Sequence, residues 1–154
     1  MVSDHKALNK QQTALRQLMT SGGDYCQAIA LFYKQHAQLH SADMASADLW
    51  SYEDELLDDI SPDQAKCVPI NAEHSIAWVM WHIARIEDVA MNMLVAGEEQ
   101  ILLRDGWQTR LAIHPQDTGN AMPAPDVVKV SEEIDFQSLR AYRIAVGHQT
   151  RKIV

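Results

Sequence analysis

Hydrophobic residues recur along this chain every three to four positions, the spacing typical of amphipathic helices. With the start and stop signals, this spacing predicts four long helices, at about residues 4–19, 24–39 (or on to Met44), 71–96 and 135 to the C-terminus. No segment alternates with period two, and we find no internal repeat. The pattern therefore predicts an all-α fold, a four-helix bundle with short extra helices in the connections.

Local signals define several helix ends. Gly22-Gly23 ends the first predicted helix. Asp24 with Gln27 three residues later is an N-terminal capping pattern for the second. The third opens at Asn71, with Glu73 in the first turn, where the helix dipole favours an acid, and it stops at Gly97.

Shorter elements are predicted between these helices. Residues 49–60 predict a helical turn or two, and residues 98–105 predict a short helix. Ser61-Pro62 followed by Gln64 predicts a further capped start, with proline at the first helical position. Residues 114–130 contain three prolines and a glycine, which predicts a loop.

Composition fits one globular domain, which we place at residues 1–154. The chain has 154 residues, of which 47% are hydrophobic and 22% charged. Its two cysteines, Cys26 and Cys67, are too few for a disulfide framework, so we expect reduced thiols and a cytoplasmic location. We expect no secretory signal, and no membrane span because charges interrupt the most apolar stretch, residues 75–96.

The charge balance bears on possible partners. The formal net charge is -8, and six acidic residues fall within residues 53–63. Such a surface repels phosphate backbones, so we expect no nucleic-acid partner. A solvated helix face is the simpler interpretation of the acidic run, and a cation site is the alternative.

Histidines are the first chemically suggestive feature. His36 and His40 lie four residues apart, so they share a helix face and could chelate one metal ion. His82 shares a face with Trp78, Ile86, Val89 and Met93, which predicts that it points into the bundle. We predict a site for zinc or nickel formed by His40, His82 and His148, with His36 as a substitute. The alternative is that these are core histidines satisfied by hydrogen bonds.

The segment around the two tryptophans is the second feature. Trp78 and Trp81 supply large apolar surfaces, and Arg85 can pair with Asp88 three residues on. Anchoring of the helix is one interpretation. The other is a pocket wall, in which Trp78, Trp81 and Arg85 bind substrate and Arg85 contacts an anion. No standard catalytic motif is present, so no catalytic residue is assigned.

The run from His74 to Asp88 reads His-Ser-Ile-Ala-Trp-x-x-Trp-His-Ile-Ala-Arg-Ile-Glu-Asp, and it resembles the DinB-like superfamily of bacterial proteins. Residues 35–44, 106–111 and 139–154 fit the same subgroup. The resemblance implies a four-helix bundle, often dimeric. It also implies a divalent metal held by three histidines in many members, and transfer of low-molecular-weight thiols such as bacillithiol or mycothiol in some.

Residue by residue, the resemblance carries over in part. His82 matches the ligand on the second bundle helix. The other two ligands normally form a His-x-x-x-His pair on the last helix, but the positions four residues from His148 are Ile144 and Lys152. Two hypotheses follow. The site is rebuilt with His36 or His40, giving a metal-dependent thiol transferase or hydrolase, or the bundle is metal-free and acts in binding or dimeric assembly.

Overall fold

The computed structural model describes residues 2–45, 49–70 and 73–154, and all the regular structure in them is helical, which confirms the all-α prediction. The chain divides into two compact units, Met1–Leu56 with Val154, and Leu57–Ile153. The prediction of one domain over residues 1–154 stays a prediction.

In the first unit, two long helices pack against each other as a hairpin. Its helices are α1 (Val2–Thr20), α2 (Tyr25–Leu39), α3 (Ala42–Ala45) and α4 (Tyr52–Leu57), the last of which ends one residue past the unit boundary. Asp24 caps α2 as predicted, since its Oδ1 accepts from the backbone N–H groups of Cys26 at 2.9 Å and Gln27 at 3.3 Å. The extension to Met44 is wrong, because the backbone at His40 is extended and ends α2.

The second unit is built around two packed helices, α6 and α9. Its elements are α5 (Pro62–Lys66), α6 (Ile76–Asp88) with a π-helical continuation (Val89–Ala96), a 3₁₀ turn (Ile101–Leu103), α7 (Trp107–Leu111), α8 (Ala124–Glu133) and α9 (Phe136–Ile153). The predicted cap of α5 is confirmed, because Ser61 and Gln64 form a reciprocal capping box. Across the parts of the chain that the structure describes, no helix is long and apolar enough to cross a membrane.

The start of the third predicted helix needs correction. Its first regular residue is Ile76, and Ser75 is the cap, with the Trp78 N–H donating to Ser75 Oγ at 2.9 Å. Glu73 therefore precedes the helix instead of lying in its first turn, and Asn71 lies outside the described residues. The predicted stop at Gly97 is confirmed, since that glycine adopts the left-handed conformation with φ of 67°.

The predicted loop at residues 114–130 is correct only in its first half. Helix α8 occupies residues 124–133, with Pro123 at the cap and Pro125 in the first turn. Proline is tolerated there because those N–H groups have no partner within a helix. Val127 and Val130 are buried, so packing on one face stabilises this helix. The prolines are the reason that the sequence predicted a loop here.

Candidate functional site

Two histidines of the first unit lie side by side at the C-terminal end of α2. His36 is in the last turn of the helix and His40 is the residue that caps it. Their imidazole centroids are 4.4 Å apart. The proximity that the four-residue spacing predicted is therefore retained, although His40 has left the helix. Neutral imidazoles at this distance present two nitrogen donors of the kind that zinc and nickel prefer.

Neighbouring residues of the same unit hold this histidine pair in place. The Ser51 hydroxyl donates to the His40 carbonyl at 2.7 Å and accepts from the Asp54 N–H at 3.0 Å. The His36 ring stacks on Phe32, with centroids 5.4 Å apart and planes 23° from parallel. His40 is only 4% exposed. These contacts act on the backbone of His40 and on the ring of His36.

The other two predicted metal ligands lie in the second unit. His148 is exposed on α9, and His82 is half-buried on α6. Among the described residues, neither belongs to a group of three side chains close enough to share one metal ion. The described residues of the second unit thus do not form a three-histidine site, whereas the pair in the first unit fits two ligands of a divalent metal. The predicted set of His40, His82 and His148 stays a prediction.

His82 faces the loop before α8. Its Nδ1 contacts the Thr118 carbonyl oxygen, and its ring stacks on Trp78 with centroids 4.8 Å apart and planes 14° from parallel. Because a carbonyl oxygen only accepts, Nδ1 donates in this contact. The face expected to point inward is half open, since Ile86 and Met93 are 43% and 46% exposed. Trp78 on the same face is buried, so the inward-facing prediction is correct only in part.

A cavity of about 670 Å³ opens beside this histidine. Its walls include His74, which precedes the cap of α6, and Trp78 and His82 of α6, together with residues of the loop before α8. The His74 ring lies against the same indole, with centroids 4.0 Å apart. Sequence analysis missed His74 as a site residue. The spacing could have indicated it, because His74 lies four residues before Trp78 and His82 lies four residues after it.

The loop before α8 lies very close to the side chains of Trp78 and Trp81. Gly119 has φ of +80°, and a Cβ atom built there would lie 2.6 Å from Cζ3 of Trp81 and 3.1 Å from Cζ2 of Trp78. The Trp78 indole N–H donates to the Met122 sulfur at 3.2 Å. Trp78 and Trp81 are 5% and 0% exposed. Both belong to the hydrophobic core of this unit, and Trp78 also lines the cavity. Their predicted contact with substrate stays a prediction.

Arg85 lies beneath the same loop with no exposed surface. Nε donates one hydrogen bond, and Nη1 and Nη2 donate two each, so all five N–H groups are satisfied inside the protein. The acceptors are Asp88, Tyr142, Gln100 and the carbonyls of Gln116 and Asp117. The predicted pairing with Asp88 is confirmed at 2.9 Å. These contacts support the anchoring interpretation, while the predicted contact with an anionic substrate stays a prediction.

Asp88 is the centre of this buried network. Its carboxylate accepts from the Tyr142 hydroxyl, the Asn92 amide and two backbone N–H groups of the 3₁₀ turn. Burial raises the pKa of Tyr142 well above its ordinary value; the Arg85 charge opposes this rise and the Asp88 charge adds to it. The network therefore fixes α6, α9, the 3₁₀ turn and the start of the loop relative to one another.

Comparison with known proteins identifies a family. A family model described as the DinB superfamily matches residues 47–152, more than half of the chain. The match includes the run from His74 to Asp88, and it leaves α1 and α2 outside. No curated protein matches the chain.

Proposed function

The chain belongs to the DinB superfamily, and we propose that it is a divalent-metal-dependent enzyme that transfers a low-molecular-weight thiol or hydrolyses a small substrate. The observation that carries this proposal is the histidine pair of the first unit, with imidazole centroids 4.4 Å apart. Two imidazoles favour zinc or nickel over magnesium or calcium, which prefer oxygen ligands. Water, the substrate or a further side chain would supply the other ligands.

The chain's own residues have defined roles in this proposal. His36 and His40 hold the metal, and Ser51 and Phe32 orient them through the His40 carbonyl and the His36 ring. Bound there, a zinc or nickel ion lowers the pKa of a thiol or a water molecule and makes it a nucleophile at neutral pH. His40 is 4% exposed, so little of its surface is in contact with solvent.

Metal content is the direct test. Protein purified without a histidine tag is analysed by mass spectrometry and then titrated with Zn²⁺ and Ni²⁺ by calorimetry. We expect close to one ion per chain, and a loss of affinity of about tenfold or more in His36→Ala and in His40→Ala. His82→Ala and His148→Ala in the same titration test the two further predicted ligands.

The matched control is His114→Ala, because His114 is exposed and is not a predicted ligand. It should bind metal as the wild type does. A metal-free protein that cannot be reloaded would refute the proposal. Equal affinity in wild type, His36→Ala and His40→Ala would refute the assignment of the pair.

A metal-free binding protein is the second candidate function. The cavity beside Trp78 favours it, because two imidazoles and an indole line a space of about 670 Å³. Chelator-treated protein is titrated with bacillithiol and mycothiol while tryptophan fluorescence is followed. Quenching that is lost in His82→Ala supports binding without metal. Turnover of a thiol adduct that requires bound metal and His82 would refute this second candidate function.

Partners and compartment stay proposals as well. We propose a small thiol as the substrate partner and a second copy of the chain as the protein partner, in the cytoplasm. The formal net charge of -8 supports the absence of nucleic-acid and anionic-membrane partners, because like charges repel. Affinity for DNA or for anionic vesicles at physiological salt would contradict this.

A further inference from the structure

The first unit also contains a cavity, which is lined mainly by the two packed helices α1 and α2. Its volume is about 350 Å³, which is enough for a small organic molecule. Three residues of α1, two of α2 and one of α4 line it, namely Leu8, Asn9, Gln12, Gln35, Leu39 and Tyr52. We call it the α1–α2 cavity. Five of these six residues precede residue 47, where the family match begins, so the match assigns the cavity no role.

Gln35 is the buried polar residue of this cavity. It is 7% exposed, and among the described residues its Nε2 has no hydrogen-bond partner. A buried donor without an acceptor destabilises a protein, and a ligand that brings an acceptor to it removes that cost. Nε2 is itself shielded from solvent, but the terminal torsion of glutamine is soft, so the amide can turn toward a ligand. Gln35 therefore points to a ligand that carries a hydrogen-bond acceptor.

The lining also restricts the charge of that ligand. Among the described residues that line the cavity, none carries a formal charge. A charged ligand group would lose hydration there without meeting an opposite charge from the wall. The side-chain amides of Asn9, Gln12 and Gln35 offer both N–H donors and carbonyl acceptors. A carboxamide carries the same two kinds of group, so it can both donate to these side chains and accept from them.

Two leucines distinguish an amide from a sugar, which also donates and accepts. Leu8 and Leu39 contribute apolar surface to the wall. The aliphatic carbons on either side of a peptide-type amide can pack against that surface. A sugar would instead place hydroxyl groups against it without hydrogen-bond partners, which is unfavourable. The lining therefore favours an amide over a sugar.

The cavity lies next to the histidine pair along the chain. Gln35 immediately precedes His36 in α2. In the same way, Leu39 immediately precedes His40, which caps the helix. The Cα atoms of consecutive residues are about 3.8 Å apart. A ligand held in the cavity therefore lies beside the segment that carries both imidazoles.

We propose that the α1–α2 cavity binds an uncharged carboxamide and that the protein recognises its substrate through this group. The role as a substrate subsite rests on the proposed function, because it requires a reaction at the histidine pair. Binding of the amide itself requires no metal. The substrate class that follows is a neutral amide of peptide type, with its reacting group close to the amide.

Titration of the 154-residue chain with small amides, followed by nuclear magnetic resonance, tests the proposal. The probe is N-acetylglycinamide, and its anionic match is N-acetylglycine, which differs only in the terminal group. EDTA is present throughout, so that the protein is free of metal. We expect a dissociation constant on the order of 1 mM for N-acetylglycinamide, as is usual for so small a ligand. N-acetylglycine should bind at least about tenfold more weakly, because its carboxylate meets no cation.

The perturbing variant is Gln35→Leu, which removes the amide and keeps a side chain of similar size. Its matched control is Gln17→Leu, since Gln17 is exposed on α1 and is not part of the lining. We expect Gln35→Leu to weaken binding by at least about tenfold and Gln17→Leu to change it by less than about twofold. Circular dichroism checks that each variant keeps its helices. Gln12→Leu replaces Gln35→Leu if that variant unfolds, because Gln12 is exposed.

Several results would overturn the proposal. They are no binding of N-acetylglycinamide, equal affinity for N-acetylglycine, and tighter binding of glucose than of the amide. Affinity that the folded cavity variant leaves unchanged also overturns it, because the amide then binds elsewhere. The proposed function fails separately: amide binding by a protein that cannot be loaded with Zn²⁺ or Ni²⁺ supports the amide site and refutes only the metal-dependent enzyme.

Discussion

Replacing Tyr142 by phenylalanine removes one hydroxyl group from the buried network of the second unit. In the wild type, this hydroxyl donates to Asp88 Oδ2 and accepts from Arg85 Nη1 at 2.9 Å. Tyr142, Asp88 and Arg85 all have 0% exposure. After the substitution, one N–H of the guanidinium has no acceptor and no route to water.

The expected cost follows from these contacts. A hydrogen bond to a charged group contributes about 1.5–3 kcal/mol to stability, and an unsatisfied buried donor costs about 1–3 kcal/mol. The direct bond between Arg85 and Asp88 at 2.9 Å survives, so the ion pair itself is not broken. We therefore expect Tyr142→Phe to lower the free energy of unfolding by about 2–3 kcal/mol.

The same residue predicts a pH dependence. Burial raises the pKa of Tyr142 in the folded protein above its ordinary value of 10.0. Above that pH the unfolded chain loses the phenolic proton while the folded chain keeps it, so the folded state binds more protons and stability falls as pH rises. Tyr142 should contribute a decline of about 1.4 kcal/mol per pH unit above pH ~10, absent in Tyr142→Phe.

Urea unfolding followed by circular dichroism, from pH 7 to about pH 11, measures both effects. The control is Tyr25→Phe, because Tyr25 is 72% exposed. It should change stability by less than about 0.5 kcal/mol at pH 7. A change of similar size in the two variants at pH 7 would refute the assignment of the network as a stabilising element.

Three other substitutions give sharp comparisons. Gly119→Ala should lower the free energy of unfolding in urea by about 2–4 kcal/mol, because Gly119 has positive φ and a Cβ atom there would lie 2.6 Å from Trp81. Gly22 also has positive φ but has open space around it, so Gly22→Ala should lower it by about 1 kcal/mol. Equal losses in the two variants would contradict the close packing at Gly119. Asp135→Ala should cost about 1 kcal/mol because Asp135 Oδ1 accepts from the Ser138 N–H at 2.7 Å. That bond lowers the pKa of Asp135 below its ordinary value of 3.8, so this contribution is present above pH 3.8 and is lost as pH falls through the folded pKa. An acid-unfolding profile unchanged in Asp135→Ala would contradict this.

Helix ends were the most predictable part of the fold. Asp24 and the Ser61–Gln64 box cap the helices for which the sequence predicted them, and Gly97 ends the third long helix. These signals can be read from sequence because each cap joins groups two or three residues apart. Where packing opposed the local signal, prediction failed. The prolines near the start of α8 indicated a loop, but burial of Val127 made a helix.

The residue types of the candidate site could be predicted from the sequence, but most of its contacts could not. The closeness of His36 and His40 follows from helical spacing. The sequence also indicated the pairing of Arg85 with Asp88, three residues apart. The cavity beside Trp78 could not be predicted, since its walls combine α6 with a loop about forty residues later.

By itself, then, the sequence determined the helical class, the family and the local pairings, because these depend on periodicity, on short motifs and on neighbours within one turn. Only the tertiary structure decided which side chains are covered. Arg85 donates to residues as far away as Tyr142 along the chain, and His82 turns toward the loop carbonyl of Thr118. The physical reason is that a hydrophobic pattern records which positions avoid water, while the identity of the group that covers each position depends on how distant segments pack.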